Sequence, residues 1–217
     1  MGAITRSIAN NITTSGVFTS SAIDNTSVTG ITTLANAPAD GITFISSQTA
    51  SNSASISFTS GLDSTYKAYK FVFSNIHART DSSNFSFNLS TDSGSNYNVT
   101  KTSTAFRAIH DEADSTTELA YETGTDLAQG TGVQRIDCAN LGSGADESLS
   151  GSLTLFNPSS TTYVKHFITD SNFNSFDDLT IRGFIAGYGN TTSAVNAIQF
   201  KMSSGNMDGV IYLYGIK

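Results

Sequence analysis

The sequence predicts an all-β fold: an antiparallel β-sandwich, jelly-roll-like, preceded by an extended N-terminal arm. Three observations predict it. Ser and Thr together number 62 of the 217 residues; Thr suits the solvent face of a strand, and Ser suits the turns between strands. Short stretches alternate apolar and polar side chains at period two, which turns one side of each inward. Clusters of Gly, Asn, Asp and Ser punctuate those stretches at short spacing, as in sandwiches and barrels.

Residues 1–40 stand apart. Ile4, Ile8, Ile12, Val17, Phe18, Ile23, Val28, Ile31 and Leu34 are thinly spaced among Thr, Ser and Asn, and Phe18 is the sole aromatic there. Such a segment has too little apolar surface to fold alone. The reading is an arm for assembly, with Ile4, Ile8, Ile12, Phe18, Ile23 and Ile31 as its anchors; a disordered or plain edge segment is the alternative. Residues 41–217 are the sandwich body.

Within the body, Ala54, Ile56 and Phe58 alternate with serines and lead into a Gly61-Leu62-Asp63-Ser64 turn. Tyr69 to Phe73 is dense in strand formers, and Phe85, Phe87 and Leu89 alternate with Ser86, Asn88 and Ser90. Asp92-Ser93-Gly94-Ser95-Asn96 is a turn, and the acidic stretch from His110 to Gly132 reads as a long loop carrying short strands. Alternation returns at Leu149, Gly151, Leu153 and Leu155, and Asn157-Pro158-Ser159-Ser160 turns the chain into Tyr163 to Ile168. Leu179 to Tyr188, Ala197 to Met202 and Val210 to Ile216 follow as strands, the last two joined by Ser203 to Asn206. About ten strands result, with no competing helical pattern. Phe71, Phe73, Phe87, Leu153, Leu155 and Leu213 are the expected core.

Composition excludes several functions. Net charge is −7 with 11 Lys plus Arg, and no basic run is present to neutralise phosphates, so nucleic acid is not an expected partner. No stretch reaches the roughly 20 apolar residues of a membrane helix, and none resembles a signal peptide, so membrane insertion is not expected. The single cysteine, Cys138, has no His within 25 positions and reads as a small core hydrophobe.

The search for chemistry yields no catalytic, metal or cofactor site. His77, His110 and His166 stand singly, without metal-ligand spacing. His110-Asp111-Glu112-Ala113-Asp114 gathers three carboxylates and an imidazole; a solvated acidic loop is the favoured reading, a cation or sugar site the other. Asp92 to Asn96 starts like a calcium loop but lacks the later Gly and Glu of that motif.

Several segments carry a family likeness. They are Ser46 to Ser51, Gly61-Leu62-Asp63-Ser64-Thr65-Tyr66-Lys67, Phe71 to His77, Gly94-Ser95-Asn96-Tyr97, Phe156-Asn157-Pro158-Ser159-Ser160, and Ser204-Gly205-Asn206 to Tyr212-Leu213-Tyr214-Gly215-Ile216-Lys217. Together they resemble small virion structural proteins, of the decoration or fibre type, from marine tailed bacteriophages. The resemblance spans about residues 42–217 and implies a self-associating β-sandwich subunit of the particle, with no catalytic residues. From it follow the expectations of a virion location, after assembly in the host bacterial cytoplasm, and of a homo-oligomer, with a trimer favoured. The expected function is a non-enzymatic capsid decoration or cement protein on the outer shell, touching the major capsid protein. A tail-fibre or host-receptor protein binding glycans is the alternative, and a carbohydrate-active enzyme a remote third.

Overall fold

The computed structural model describes residues 41–217. The assembly-arm residues Ile4, Ile8, Ile12, Phe18, Ile23 and Ile31 lie outside the described residues.

Twelve strands form two antiparallel sheets, with no helix among the described residues. They are β1 (Ile42–Ser53), β2 (Ile56–Phe58), β3 (Ala68–Ala78), β4 (Phe85–Ser90), β5 (Lys101–Asp111), β6 (Thr117–Tyr121), β7 (Gln134–Arg135), β8 (Leu149–Phe156), β9 (Lys165–Asn174), β10 (Leu179–Gly189), β11 (Ala197–Met202) and β12 (Met207–Ile216). The large sheet runs β1-β12-β3-β8-β9-β10-β5-β6 and the small one β2-β11-β4-β7.

The pairing β1 with β12, β2 with β11, β3 with β8 and β4 with β7 is nested: the first strand meets the last, and each inner pair closes inside it. Those eight strands, four in each sheet, make the jelly roll that composition and alternation predict. Two insertions enlarge it. The hairpin of β5 and β6 leaves between β4 and β7, and that of β9 and β10 between β8 and β11. They join one another through β5 and β10, doubling one sheet to eight strands.

The core lies between the sheets, and an aromatic cluster welds it. Phe200 of β11 sits against Phe58, Phe71, Phe73, Phe85 and Phe87, with ring centroids 5.3 to 6.4 Å away. All six residues named from the sequence as core are buried. Cys138 is buried too, its Sγ–H donating to the Phe106 carbonyl at 3.6 Å, and burial pushes its pKa up to about 12.

Three local readings differ from the sequence expectation. β5 has no counterpart among the strands read from the sequence, because its inward positions mix polar Lys101, Ser103 and Arg107 with Ala105 and Ile109 while Phe106 faces out. β4 is buried on both sides: loops fold over its polar side, and Asn88 Nδ2 donates to the carbonyls of Tyr97 and Thr131. β3 runs on past the Tyr69 to Phe73 stretch read from the sequence to Ala78, so that His77 lies within it, and its Nε2 donates to the Gly144 carbonyl at 2.9 Å.

Candidate functional site

The inserted half of the large sheet has two unlike sides. Inward, it is covered by the chain around residues 134–139 through polar contacts. Ser103 Oγ donates to Gln134 Oε1, Ser171 Oγ to the Ile136 carbonyl, and Arg107 Nη1 to the Cys138 carbonyl. Gly183 permits this approach, since a Cβ there would stand 3.1 Å from Cys138 Sγ.

Three buried ionisable groups line this inner layer. Lys101 and Lys165 both pair with Gly189 from opposite sides, and both are fully buried. Lys101 Nζ donates to Asn88 Oδ1 and the Val99 carbonyl; Lys165 Nζ donates to the carbonyls of Tyr163 and Thr191. Desolvation lowers both pKa values, that of Lys101 to about 8. Asp137 is also fully buried, and burial raises its pKa to about 7 despite Arg135 Nε at 2.9 Å. Its other oxygen accepts the Phe85 N–H at 2.6 Å. Perturbed groups often mark active sites, yet these sit away from solvent with their polar atoms occupied by the fold. They are structural. The sequence offers no signal for them beyond a Lys or Asp beside strand-forming residues.

Outward, the same strands present side chains to solvent in three rows. The first runs Ile168, Ala186, Thr104 across β9, β10 and β5. The second runs Asp170, Phe184, Phe106, Tyr121 and reaches β6. The third runs Asn172, Arg182, Ala108, Leu119. Phe106 and Phe184 are stacked, with centroids 4.9 Å apart and planes 16° from parallel. Arg182 Cζ lies 4.7 Å from the centre of the Phe184 ring while its Nε and Nη2 donate to the two Asp170 oxygens at 3.1 and 2.8 Å. The rings of this patch are thus held from both sides. Tyr121 donates to Asp126 Oδ2 at 2.7 Å, a bond that raises its pKa.

Beside this patch, toward β8, lies a shallow polar depression of about 420 Å³ lined by Ser150, Gly151, Ser152, Asp170, Asn172 and Arg182. The small residues of β8 make it. It holds one carboxylate, Asp170, which is already paired with Arg182. Hydrolysis of glycosides ordinarily takes two carboxylates.

The acidic cluster at 110–114 has a structural job. Asp111 accepts the N–H groups of Ser115 and Thr116 and the Ser115 hydroxyl, closing the turn from β5 to β6. Those bonds, the Ser115 hydroxyl first, lower its pKa to about 2. His110 Nε2 meets Asp114 at 3.1 Å, and no cluster of three or more His, Cys, Asp or Glu suited to a metal occurs among the described residues. Asp92 likewise ties its own turn, accepting from Ser90, Asn96 N–H and Asn96 Nδ2. His166 is exposed on β9, against Tyr188.

Comparison with known proteins found no matching family, no matching curated protein and no matching solved structure.

Proposed function

We propose that this chain is a non-enzymatic structural subunit of a tailed-phage particle, acting as a capsid decoration or cement protein on the outer shell. The observation that carries the reading is the outer face of β9, β10, β5 and β6. It presents an ordered aromatic patch without a catalytic constellation, and exposed apolar patches on a folded domain mark interaction sites. The segment likenesses in the body and its closing strand support the same reading, as does a jelly roll, an architecture that capsid proteins and lectins use. Copies of the chain, with a trimer favoured, and the major capsid protein are the proposed partners.

The polar depression favours a second reading, a tail-fibre protein that binds host-surface glycans. Asp170, Asn172 and Arg182 beside serines offer the mixture of donors and acceptors that sugar hydroxyls take. One carboxylate there supports binding rather than hydrolysis.

Gold-labelled antibody against the folded body, applied to purified particles, separates the readings. Label over the head supports decoration, and label at the tail tip supports the fibre. Unlabelled particles, with the protein present in the infected cell, contradict both.

A further inference from the structure

We propose that the outer face of β9, β10, β5 and β6 is the surface on which one copy of this chain docks against another. The proposal rests on the reading of the chain as an assembling subunit and adds to it the face and the occupant.

Exposure comes first. Ile168 is 52% exposed, Phe106 44%, Tyr121 53% and Leu119 76%, on three of four adjacent strands, with Phe184 filling the gap on the fourth. Next to it, on β8, the same sheet face is hydroxylic at Ser150, Ser152 and Thr154, which separates it from a second exposed group, Phe44 and Tyr214 on β1 and β12. A chain that dissolves itself with Ser and Thr departs from that habit here. Between Phe106, Ile168, Phe184 and Ala186 the surface dips into a crevice of about 180 Å³, a socket for a side chain from the facing surface.

Rigidity comes second. β5 and β10 are paired along eleven consecutive residue pairs, and Phe106, Phe184, Arg182 and Asp170 brace one another. A face already ordered loses little entropy on docking.

Charge selects the occupant. The chain carries a net charge of −7, so two copies repel unless they meet where that charge is absent. The outward positions of these four strands hold one acid and one guanidinium, Asp170 and Arg182, paired with each other. A basic or acidic partner finds no free opposite charge there, whereas a second copy finds its own neutral, apolar complement. The size suits a reversible contact. Four strands at ~4.8 Å spacing and nine residues of β5 at ~3.3 Å each give a footprint of roughly 19 by 30 Å, about 570 Å². That is below the ~800 Å² per partner of a standard interface and in the range of weak, reversible association.

The test is sedimentation velocity of the full chain over a range of concentrations, with melting curves run alongside. Phe106→Lys and Ile168→Lys place a charge on the face, Leu119→Lys does so at its most exposed point, and Thr49→Lys on β1 is the control. The expected result is reversible self-association of the wild type, weakened at least about tenfold in each face variant (~1.4 kcal/mol) and unchanged in the control, with all chains melting cooperatively. A variant that fails to melt cooperatively is set aside, and Leu119→Lys, on an edge strand, decides. Association that survives every face variant overturns the proposal and leaves the subunit reading standing, with its contacts elsewhere. A full chain that stays monomeric up to about 1 mM, a self-association weaker than about −4 kcal/mol, overturns it and hands the face to a different occupant. The subunit reading itself fails only if particles carry no label.

Discussion

The stability of this protein should pass through a minimum near pH 7 to 8, because two strongly shifted groups, Asp137 and Lys101, pull in opposite directions on either side. Asp137, raised by burial to about 7 from an ordinary value near 3.8, keeps its proton more tightly in the fold than in the open chain. Stability is therefore greatest while Asp137 is protonated and falls as pH rises from about 4 to 7. At 1.36 kcal/mol for each tenfold step in affinity, the fall amounts to roughly 4 kcal/mol. Lys101, lowered by burial to about 8 from 10.5, releases its proton more easily in the fold. Lys101 alone would raise stability from pH 8 toward 10 by roughly 3 kcal/mol, with Lys165 in the same direction, but Cys138, raised by burial to about 12 from 9, opposes it above pH 9 and confines the net rise to about pH 8 to 9. Above pH 10 the slope reverses, since burial raises the pKa of Tyr69 and the bond to Asp126 raises that of Tyr121. Below pH 4 stability also drops, as Asp92 and Asp111, both near 2, lose their hydroxyl and amide partners. Urea melts at intervals from pH 3 to 10 read this profile directly. Asp137→Asn retains an acceptor for the Phe85 N–H and should flatten the limb from 4 to 7. Lys101→Met should flatten the limb from 8 to 9. A profile with its maximum at pH 7, unmoved by either variant, refutes the reasoning.

Other outcomes follow from the packing. Phe200→Ala should cost about 4 to 5 kcal/mol, the upper end for a buried Phe, because five other Phe rings meet it; thermal melts that move by less than the equivalent of about 1 kcal/mol contradict the hub. Cys138, buried with its pKa near 12, should resist a thiol reagent until the protein unfolds; labelling in the native state as fast as that of free cysteine contradicts this. Asp111→Ala should leave melting insensitive to added calcium or chelator and quicken amide exchange in β5 and β6, since its carboxylate ties their turn; a calcium-dependent melting shift in the wild type contradicts the structural role. A chain beginning at Gly41 should melt cooperatively yet fail to join particles; normal incorporation places the assembly contacts on the body alone.

Much of the fold was legible because the nested jelly-roll strands obey simple alternation. Phe71 and Phe73 on β3, Leu153 and Leu155 on β8 and Leu213 on β12 all face the core as read, and the Asn157 and Gly205 turns fall between strands. What the sequence hides is β5 and its pairing with β10; β9 and β10 themselves read as strands, at Tyr163 to Ile168 and Leu179 to Tyr188. On β5 the inward side mixes polar Lys101, Ser103 and Arg107 with apolar Ala105 and Ile109, and Phe106 faces out, so hydrophobic alternation is blurred. That mixture has a cause: the inner side meets the polar segment containing Gln134 and Asp137, while the outer side is the patch. The site was therefore invisible for the reason that makes it a site. Its residues come from three separated stretches, Phe106 to Tyr121, Ile168 to Asp170 and Arg182 to Ala186, that only the register of β9, β10, β5 and β6 brings together. The acidic run from His110 to Asp114 drew the eye in sequence and proves to be a hairpin turn.

The most direct test of the assembly claim is a cryo-electron map of the particle at a resolution that separates the two sheets. The account predicts density for the jelly roll on the outer shell, with the strands carrying Phe106, Ile168 and Phe184 turned against another copy of the chain. A map in which that face looks into solvent, or in which the particle holds no such density, contradicts it.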